Sequence, residues 1–108
     1  MLRIYLDSNI YIVGLLYTDS PSSVVLKKVT AEDITVVQSD YLFDEVLNFF
    51  RRSRGKEVVG KVREFLLTIP NNEIMDKYTW SMYTDRYRDM VADTDDIPHI
   101  CSYFAGEC

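Results

Sequence analysis

The chain has little cysteine, proline, glycine or histidine, and each shortage excludes a class of protein. Two cysteines among 108 residues are too few for a disulfide framework, and a single histidine leaves a zinc site without partners. Three prolines and four glycines exclude a collagen-like or low-complexity chain. Hydrophobic residues make up 47% of the sequence, which indicates a globular domain rather than an acidic disordered tail.

Long hydrophobic runs are also missing. The longest unbroken apolar run covers residues 10–17 and contains Gly14, whereas a membrane-spanning helix needs about 18 or more such residues. Residues 1–7 show no charged leader followed by a long apolar stretch, so we expect no signal peptide. We therefore expect a single domain, residues 1–108, in the reducing cytoplasm, with no membrane partner.

Apolar strands alternate with amphipathic helices along the sequence. Residues 2–6 and 34–37 are typical of strands, and residues 73–75 fit a very short third strand. Because residues 2–6 are mostly apolar, we expect that strand to be buried on both faces. Helices are predicted over residues 10–17, 58–69 and 97–105, the second after a break at Gly55 and the third before the C-cap Gly106. Three more are predicted from their N-caps: one that begins at Pro21 after Ser20, one from Ser39 to about Arg52, and one that begins after Asp76. The alternation predicts an α/β fold with a parallel sheet.

The net charge of −5 is unevenly distributed. Residues 51–63 contain six basic side chains and one acidic one, a net charge of +5, so the rest of the chain carries −10. Such a stretch is suited to the backbone of a nucleic acid, although a solvated helix surface gives the same count. The candidates for contacts to an RNA backbone are Arg51, Arg52, Arg54 and Lys56.

Two acids occupy positions that suggest chemistry. Asp7 ends the first strand, and in open parallel sheets binding sites form beyond the carboxyl ends of strands. Its alternative role is to cap the next helix. Glu45 lies within or beside the apolar stripe of its helix, where a carboxylate requires a cation or hydrogen-bond donors. The alternative is that Glu45 lies at the edge of the stripe and reaches water or Arg52.

A third acidic group precedes the last predicted helix. Asp93, Asp95 and Asp96 are close enough in sequence to repel one another, and a divalent cation would remove that conflict. As single residues, they are ordinary helix caps. Carboxylates from three separate segments are typical of an all-oxygen site for Mg²⁺ or Mn²⁺. Such an ion supplies a nucleophilic hydroxide and stabilises charge on a phosphodiester.

Three segments resemble, in order and spacing, the motifs of PIN-domain nucleases. Residues 6–12 resemble the opening strand, Asp-x-Asn and apolar helix of that family. Residues 36–39 followed by Glu45 resemble its second strand, serine and helix acid, and residues 96–100 resemble the Asp-x-Pro that begins a late helix. Together the segments extend over nearly the whole chain. The resemblance implies an α/β/α sandwich with a central parallel sheet.

The resemblance also implies a function and a site. Asp7, Glu45 and Asp96 would be the catalytic, metal-binding acids, with Asn9 and Ser39 supporting the site through hydrogen bonds. Many small members of the family are VapC-type toxins, which are ribonucleases silenced by a cognate antitoxin. The implied properties are therefore a Mg²⁺ or Mn²⁺ cofactor, endoribonuclease activity, an antitoxin partner and a homodimer.

The sequence departs from the family pattern at its end. The family continues past residues 106–108 into a further buried strand that ends in a fourth acid, so we expect a domain that is incomplete at its C-terminus. The absent strand would lie beside residues 2–6 and leave an open sheet edge. A fragment, a dimer partner over that edge and a degenerate gene each account for this. Asp93 or Asp95 in place of the fourth acid is a further alternative.

Two other functions compete with the nuclease. One is a catalytically inactive, truncated PIN-like module that binds a partner or dimerises. The other is a phosphotransfer enzyme with Asp7 as covalent nucleophile, because residues 7–9 resemble haloacid-dehalogenase-type phosphatases, but the lysine and later acid motifs are missing. His99 and Cys101 are expected to be structural, and Trp80, Tyr83 and Tyr87 are expected to pack on one helix face.

Overall fold

The computed structural model of the chain describes residues 2–31, 34–82 and 97–108. Its strands are β1 (Leu2–Tyr5), β2 (Ile34–Ser39) and β3 (Asn72–Met75). Its helices are α1 (Ser8–Leu16), α2 (Pro21–Ala31), α3 (Asp40–Ser53), α4 (Lys56–Leu67), α5 (Lys77–Ser81) and α6 (Ile97–Ala105). The predicted α/β fold is confirmed. No helix in these three ranges is long and apolar enough to cross a membrane.

The sheet has three parallel strands in the order β1-β2-β3. The central strand β2 is buried from Val36 to Ser39. The expectation that β1 is buried on both faces is wrong, since Leu2 is 61% exposed. Within the described sheet β1 is an edge strand, paired with β2 alone, so its backbone has a free side.

Helices α1 to α4 pack together on one face of the sheet. Both crossovers, from β1 to β2 and from β2 to β3, place the next strand on the same side of the previous one in the sheet. Because crossovers between parallel strands share one handedness, the helices of both crossovers lie on the same face of the sheet. These helices and β2 share one buried cluster: Tyr11, Leu26, Val29, Val36, Leu42, Val46, Phe50, Val62, Leu66 and Ile69. Gln38 faces the same side and donates from Nε2 to the carbonyl of Leu66 (3.1 Å), which ties β2 to α4.

The C-terminal helix covers the opposite face. Side chains alternate along a strand, so Val37 points away from the α1–α4 cluster. Val37 lies against Gly106, the residue that follows α6, where a Cβ would come within 2.8 Å of Val37 Cγ1. Arg3 donates from Nε to the carbonyl of Gly106 (2.6 Å) and forms an ion pair with Glu73 on β3 (2.8 Å). Helices therefore lie on both faces of the sheet.

Most local signals for helix starts are confirmed. Three capping oxygens accept backbone hydrogen bonds as predicted: Ser20 from Ser23 (3.1 Å), Ser39 from Leu42 (3.1 Å) and Asp76 from Thr79 (2.9 Å). The break between α3 and α4 falls at Gly55, whose φ of 91° lies in the region that favours glycine. Cys101 is buried as expected, and neither it nor Cys108 forms a disulfide.

Gly106 follows the last residue of α6, as predicted for a C-cap, and its backbone N–H donates to the carbonyl of Ser102 (2.9 Å). The left-handed residue is the next one, Glu107, with a φ of 57°, so backbone conformation does not explain the glycine at position 106. A Cβ at position 106 would lie 3.0 Å from Met75 Cε and 3.1 Å from the carbonyl oxygen of Ser102. Glycine is needed here because α6 and the sheet approach each other too closely for a side chain.

Candidate active site

Asp7 lies just beyond the carboxyl end of β1 and caps α1. Its Oδ1 accepts from the backbone N–H of Asn9 (3.3 Å) and from the hydroxyl of Ser8 (3.2 Å). The alternative role predicted for Asp7, capping of the next helix, is therefore confirmed, but it uses only one carboxylate oxygen. Within the described part of the chain, Oδ2 accepts no hydrogen bond, so Asp7 can cap the helix and bind a cation at once.

Glu45 lies on α3, between the fully buried residues Leu42 and Val46 along the chain. Its side chain is 34% exposed and accepts a hydrogen bond at Oε1 from Nε2 of His99. The expected compensation for a carboxylate beside the core is present, but it comes from His99 and not from Arg52. Among the described residues, Oε2 has no hydrogen-bond partner.

The sequence predicts that His99 lies in the first turn of a helix, with no partners for a nucleophile or a zinc site. His99 does lie in the first turn of α6, and it also forms hydrogen bonds that the sequence does not reveal. The imidazole contacts Glu45 through Nε2 and the hydroxyl of Tyr5 through Nδ1 (2.6 Å). The ring of Tyr41 meets it edge to face, with ring centroids 5.2 Å apart. Glu45 lies 54 residues from His99 in the sequence and Tyr5 lies 94 residues from it, so no local pattern reveals these two hydrogen bonds.

Tyr5 connects His99 to the carboxyl end of β2. Its hydroxyl also forms a hydrogen bond with Ser39 Oγ (3.0 Å), at the carboxyl end of β2. Burial raises the pKa of Tyr5 to about 12, and the charges of Glu45 and Asp7 both act in the same direction. Glu45 is thus linked to Tyr5 through His99, and the charges of both carboxylates act on the Tyr5 phenol. The sequence offered one signal for it: Arg3 and Tyr5 alternate with the apolar residues of β1.

An open groove of about 410 Å³ lies beside these residues, between α1 and α3. Its lining is Ser8, Asn9, Ile12, Tyr41, Asp44, Glu45, Asn48, Phe49 and Arg52. The lining combines two carboxylates, two amides, two aromatic rings and one guanidinium. We refer to this space as the acidic groove.

The four basic candidates do not form one continuous strip. Arg52 lines the acidic groove, whereas Arg51 donates to Asn48 Oδ1 (2.8 Å) and lines a different groove. Arg54 borders an apolar cleft formed by residues of α1, α3 and α4, and Lys56 is exposed at the start of α4. Only Arg52 among these four is positioned beside the carboxylates.

The predicted support residues are close to the site. Asn9 lines the acidic groove, and its backbone N–H holds Asp7. Ser39 is completely buried, caps α3 and contacts Tyr5, so it acts on the framework rather than on either carboxylate. Asp96, together with Asp93 and Asp95, lies outside the described residues.

The donors in the described ranges fit Mg²⁺ or Mn²⁺ in kind but not in number. Asp7 and Glu45 each have a carboxylate oxygen that accepts no hydrogen bond from the described residues, and the exposed residue Asn9 lines the same groove as Glu45. Hard divalent cations prefer such oxygen ligands and retain several waters. Across residues 2–31, 34–82 and 97–108, however, no three His, Cys, Asp or Glu side chains are grouped to hold a metal ion.

Comparison with known proteins adds no relative. The chain matches no protein-family model, no curated protein and no solved structure. The PIN-like layout and its function therefore stay predictions. Of the segments that suggested them, residues 6–12 and 36–45 lie in the described structure, and residue 96 does not.

Proposed function

We propose that the chain is a Mg²⁺- or Mn²⁺-dependent endoribonuclease with a PIN-like α/β/α sandwich. The observation that supports this best is the placement of the two acids at the carboxyl edge of a parallel sheet: Asp7 follows β1, and Glu45 lies on α3, the helix that follows β2. Two acids delivered by separate strand ends to one edge are typical of a cation site for phosphoryl chemistry.

The acidic groove suits single-stranded RNA that carries a cation with it. Asp44 and Glu45 repel a phosphodiester, so a polyanion needs a bound cation to enter. Arg52 adds a positive charge at the groove for a neighbouring phosphate. Tyr41 and Phe49 offer aromatic faces, which stack on unpaired bases without strong sequence preference.

Asp7 and Glu45 would hold the cation through their free oxygens, with Asn9 as a neutral oxygen donor and Asp96 as the third acid implied by the resemblance. When bound, the cation acts as a Lewis acid and lowers the pKa of a water molecule. Arg52 would bind the phosphate next to the scissile one. By the same resemblance, the chain is a cytoplasmic, homodimeric toxin with a cognate antitoxin.

The experiment is cleavage of a labelled single-stranded RNA by the purified chain with Mn²⁺ or Mg²⁺. Asp7→Asn keeps the capping oxygen and removes the charge, so we expect activity to fall to background. Asp19→Asn makes the same change in an exposed turn and should leave cleavage unchanged. Activity that survives Asp7→Asn contradicts the assignment, and wild-type chain without cleavage contradicts the function.

A catalytically inactive PIN-like module is the second candidate, and one observation favours it. Glu45 is already engaged by His99, and the described residues contain no set of three metal-binding side chains. This candidate predicts that calorimetric titration with Mn²⁺ gives no saturable binding. The nuclease predicts one saturable site that is lost in Glu45→Gln and retained in Glu64→Gln, a matched change on the exposed face of α4.

A further inference from the structure

The hydrogen bonds around His99 form one connected chain from the end of β2 to Glu45. Ser39 Oγ accepts from the backbone N–H of Leu42 (3.1 Å), which leaves the hydroxyl hydrogen of Ser39 available for Tyr5 (3.0 Å). The Tyr5 hydroxyl then has its own hydrogen for Nδ1 of His99 (2.6 Å). Each hydroxyl both accepts and donates, so the directions agree along the whole chain.

This direction specifies the tautomer of the imidazole. If Nδ1 accepts from Tyr5, the ring of neutral His99 carries its hydrogen on Nε2. Nε2 is the atom that meets Glu45 Oε1, and an ionised carboxylate only accepts. The reverse assignment would place a bare nitrogen against a carboxylate oxygen, which is repulsive. For a neutral imidazole, one proton arrangement therefore satisfies every contact from Leu42 to Glu45.

Packing restrains the same ring. The His99 side chain is only 12% exposed, and the ring of Tyr41 stands edge-on to it with an interplanar angle of 75°. Tyr41 precedes Glu45 by one helical turn on α3, so one face of that helix supplies both the wall and the acceptor for His99. The imidazole has little freedom to swing away from Glu45.

The two oxygens of the Glu45 carboxylate have different environments. Oε1 is bonded to His99, while Glu45 itself lines the acidic groove and His99 does not. The oxygen left for the groove is Oε2, which accepts no hydrogen bond from the described residues. A carboxylate held at one oxygen cannot rotate freely, so its other oxygen is presented in a fixed direction.

We propose that His99, locked as its Nε2–H tautomer by Tyr5, is a positioning residue that aims Glu45 into the acidic groove for cation binding. The cation part of this inference rests on the proposed function. The tautomer and the hold on Glu45 do not, because the contacts that set them involve no metal. Outer groups of this kind typically change metal affinity by about 10–100-fold when they are removed.

The first test is ¹⁵N NMR of the metal-free full chain labelled at histidine, recorded at pH 8. The sequence has one histidine, so the spectrum reports His99 alone. We expect a protonated Nε2 and an unprotonated Nδ1, and in Tyr5→Phe a shift towards a mixture of tautomers. Tyr78→Phe changes an 84% exposed ring on α5 and should leave the spectrum as in the wild type. A protonated Nδ1 in the wild type overturns the inference.

The second test is Mn²⁺ affinity measured by calorimetry on the same variants. We expect His99→Ala to weaken binding about 10–100-fold. His99→Gln can place an N–H near the position of Nε2 and should recover most of the affinity. If the wild type binds Mn²⁺ and His99→Ala binds it equally well, the positioning role is overturned while the proposed function stands.

The two failures are distinguishable. Wild-type chain that binds no Mn²⁺ contradicts the proposed function, and the NMR measurement still decides whether Tyr5 locks His99. Because His99→Ala removes a ring that is only 12% exposed, its fold is checked by circular dichroism. Tyr5→Phe keeps the ring volume and provides a second variant for the calorimetry, with a smaller loss of Mn²⁺ affinity expected.

Discussion

Gly106→Ala tests how closely α6 is seated on the sheet. The added Cβ would lie 2.8 Å from Val37 Cγ1, 3.0 Å from Met75 Cε and 3.1 Å from the carbonyl oxygen of Ser102. The end of Met75 can move, but Val37 is fully buried on the central strand and the carbonyl belongs to the backbone. Overpacking of this kind costs about 1–3 kcal/mol, and alanine recovers about 0.4–1 kcal/mol by restricting the unfolded chain.

The expected net effect is a loss of about 1–2 kcal/mol in the free energy of unfolding, measured by urea titration. For a domain of this size that lowers Tm by roughly 4–16 °C. Gly60→Ala is the matched control, because Gly60 lies inside α4 with no atom within 4 Å of an added Cβ. It should stabilise the chain by about 0.5–1 kcal/mol. If Gly106→Ala is as stabilising as Gly60→Ala, the packing of α6 on β2 described above is refuted.

Three further predictions concern ionisation, capping and RNA contact. Burial raises the pKa of Tyr5 from 10.0 to about 12, so the unfolded chain loses this proton first and stability falls as pH rises from 10 to 12. Between pH 10 and 12, the free energy of unfolding of Tyr5→Phe, measured by urea titration, should fall by roughly 2 kcal/mol less than that of the wild type. Equal falls would contradict the raised pKa of Tyr5. Loss of the cap should cost about 0.5–2 kcal/mol in either Ser39→Ala or Ser20→Ala. Each hydroxyl also makes a second hydrogen bond, but Ser39 is completely buried and Ser20 is not, so Ser39→Ala should cost more; equal costs would contradict this. Arg52→Ala should weaken RNA binding and lower the slope of log affinity against log salt by about one, whereas Arg63→Ala on α4 should not.

Local sequence signals determined most of the fold. Helix starts were readable because a capping oxygen acts within three residues, as at Ser20, Ser39 and Asp76. The parallel sheet followed from strands that alternate with helices. The end of α6 at Gly106 was readable in the same way, but the close approach of Val37, which leaves no room for a side chain there, is a long-range contact that no local pattern reveals.

The site was readable only in part, because its contacts are long-range. Asp7 and Glu45 stood out since each violates a local expectation, at a strand end and beside an apolar stripe. His99 violates none: a histidine in the first turn of a helix is ordinary, and only the fold brings Tyr5 and Glu45 to it. The burial of β1 was overestimated because apolar composition does not distinguish a central strand from an edge strand.

The most direct test of the proposed cation site is paramagnetic broadening by Mn²⁺ in the ¹⁵N-labelled chain. At substoichiometric Mn²⁺, we expect the amide signals of Ser8, Asn9 and Glu45 to broaden before those of α4, and excess Mg²⁺ to restore them. Glu45→Gln should require far more Mn²⁺ for the same effect. Broadening confined to other acidic residues, such as Glu57 and Glu64, or no broadening at all, would contradict a cation site between Asp7 and Glu45.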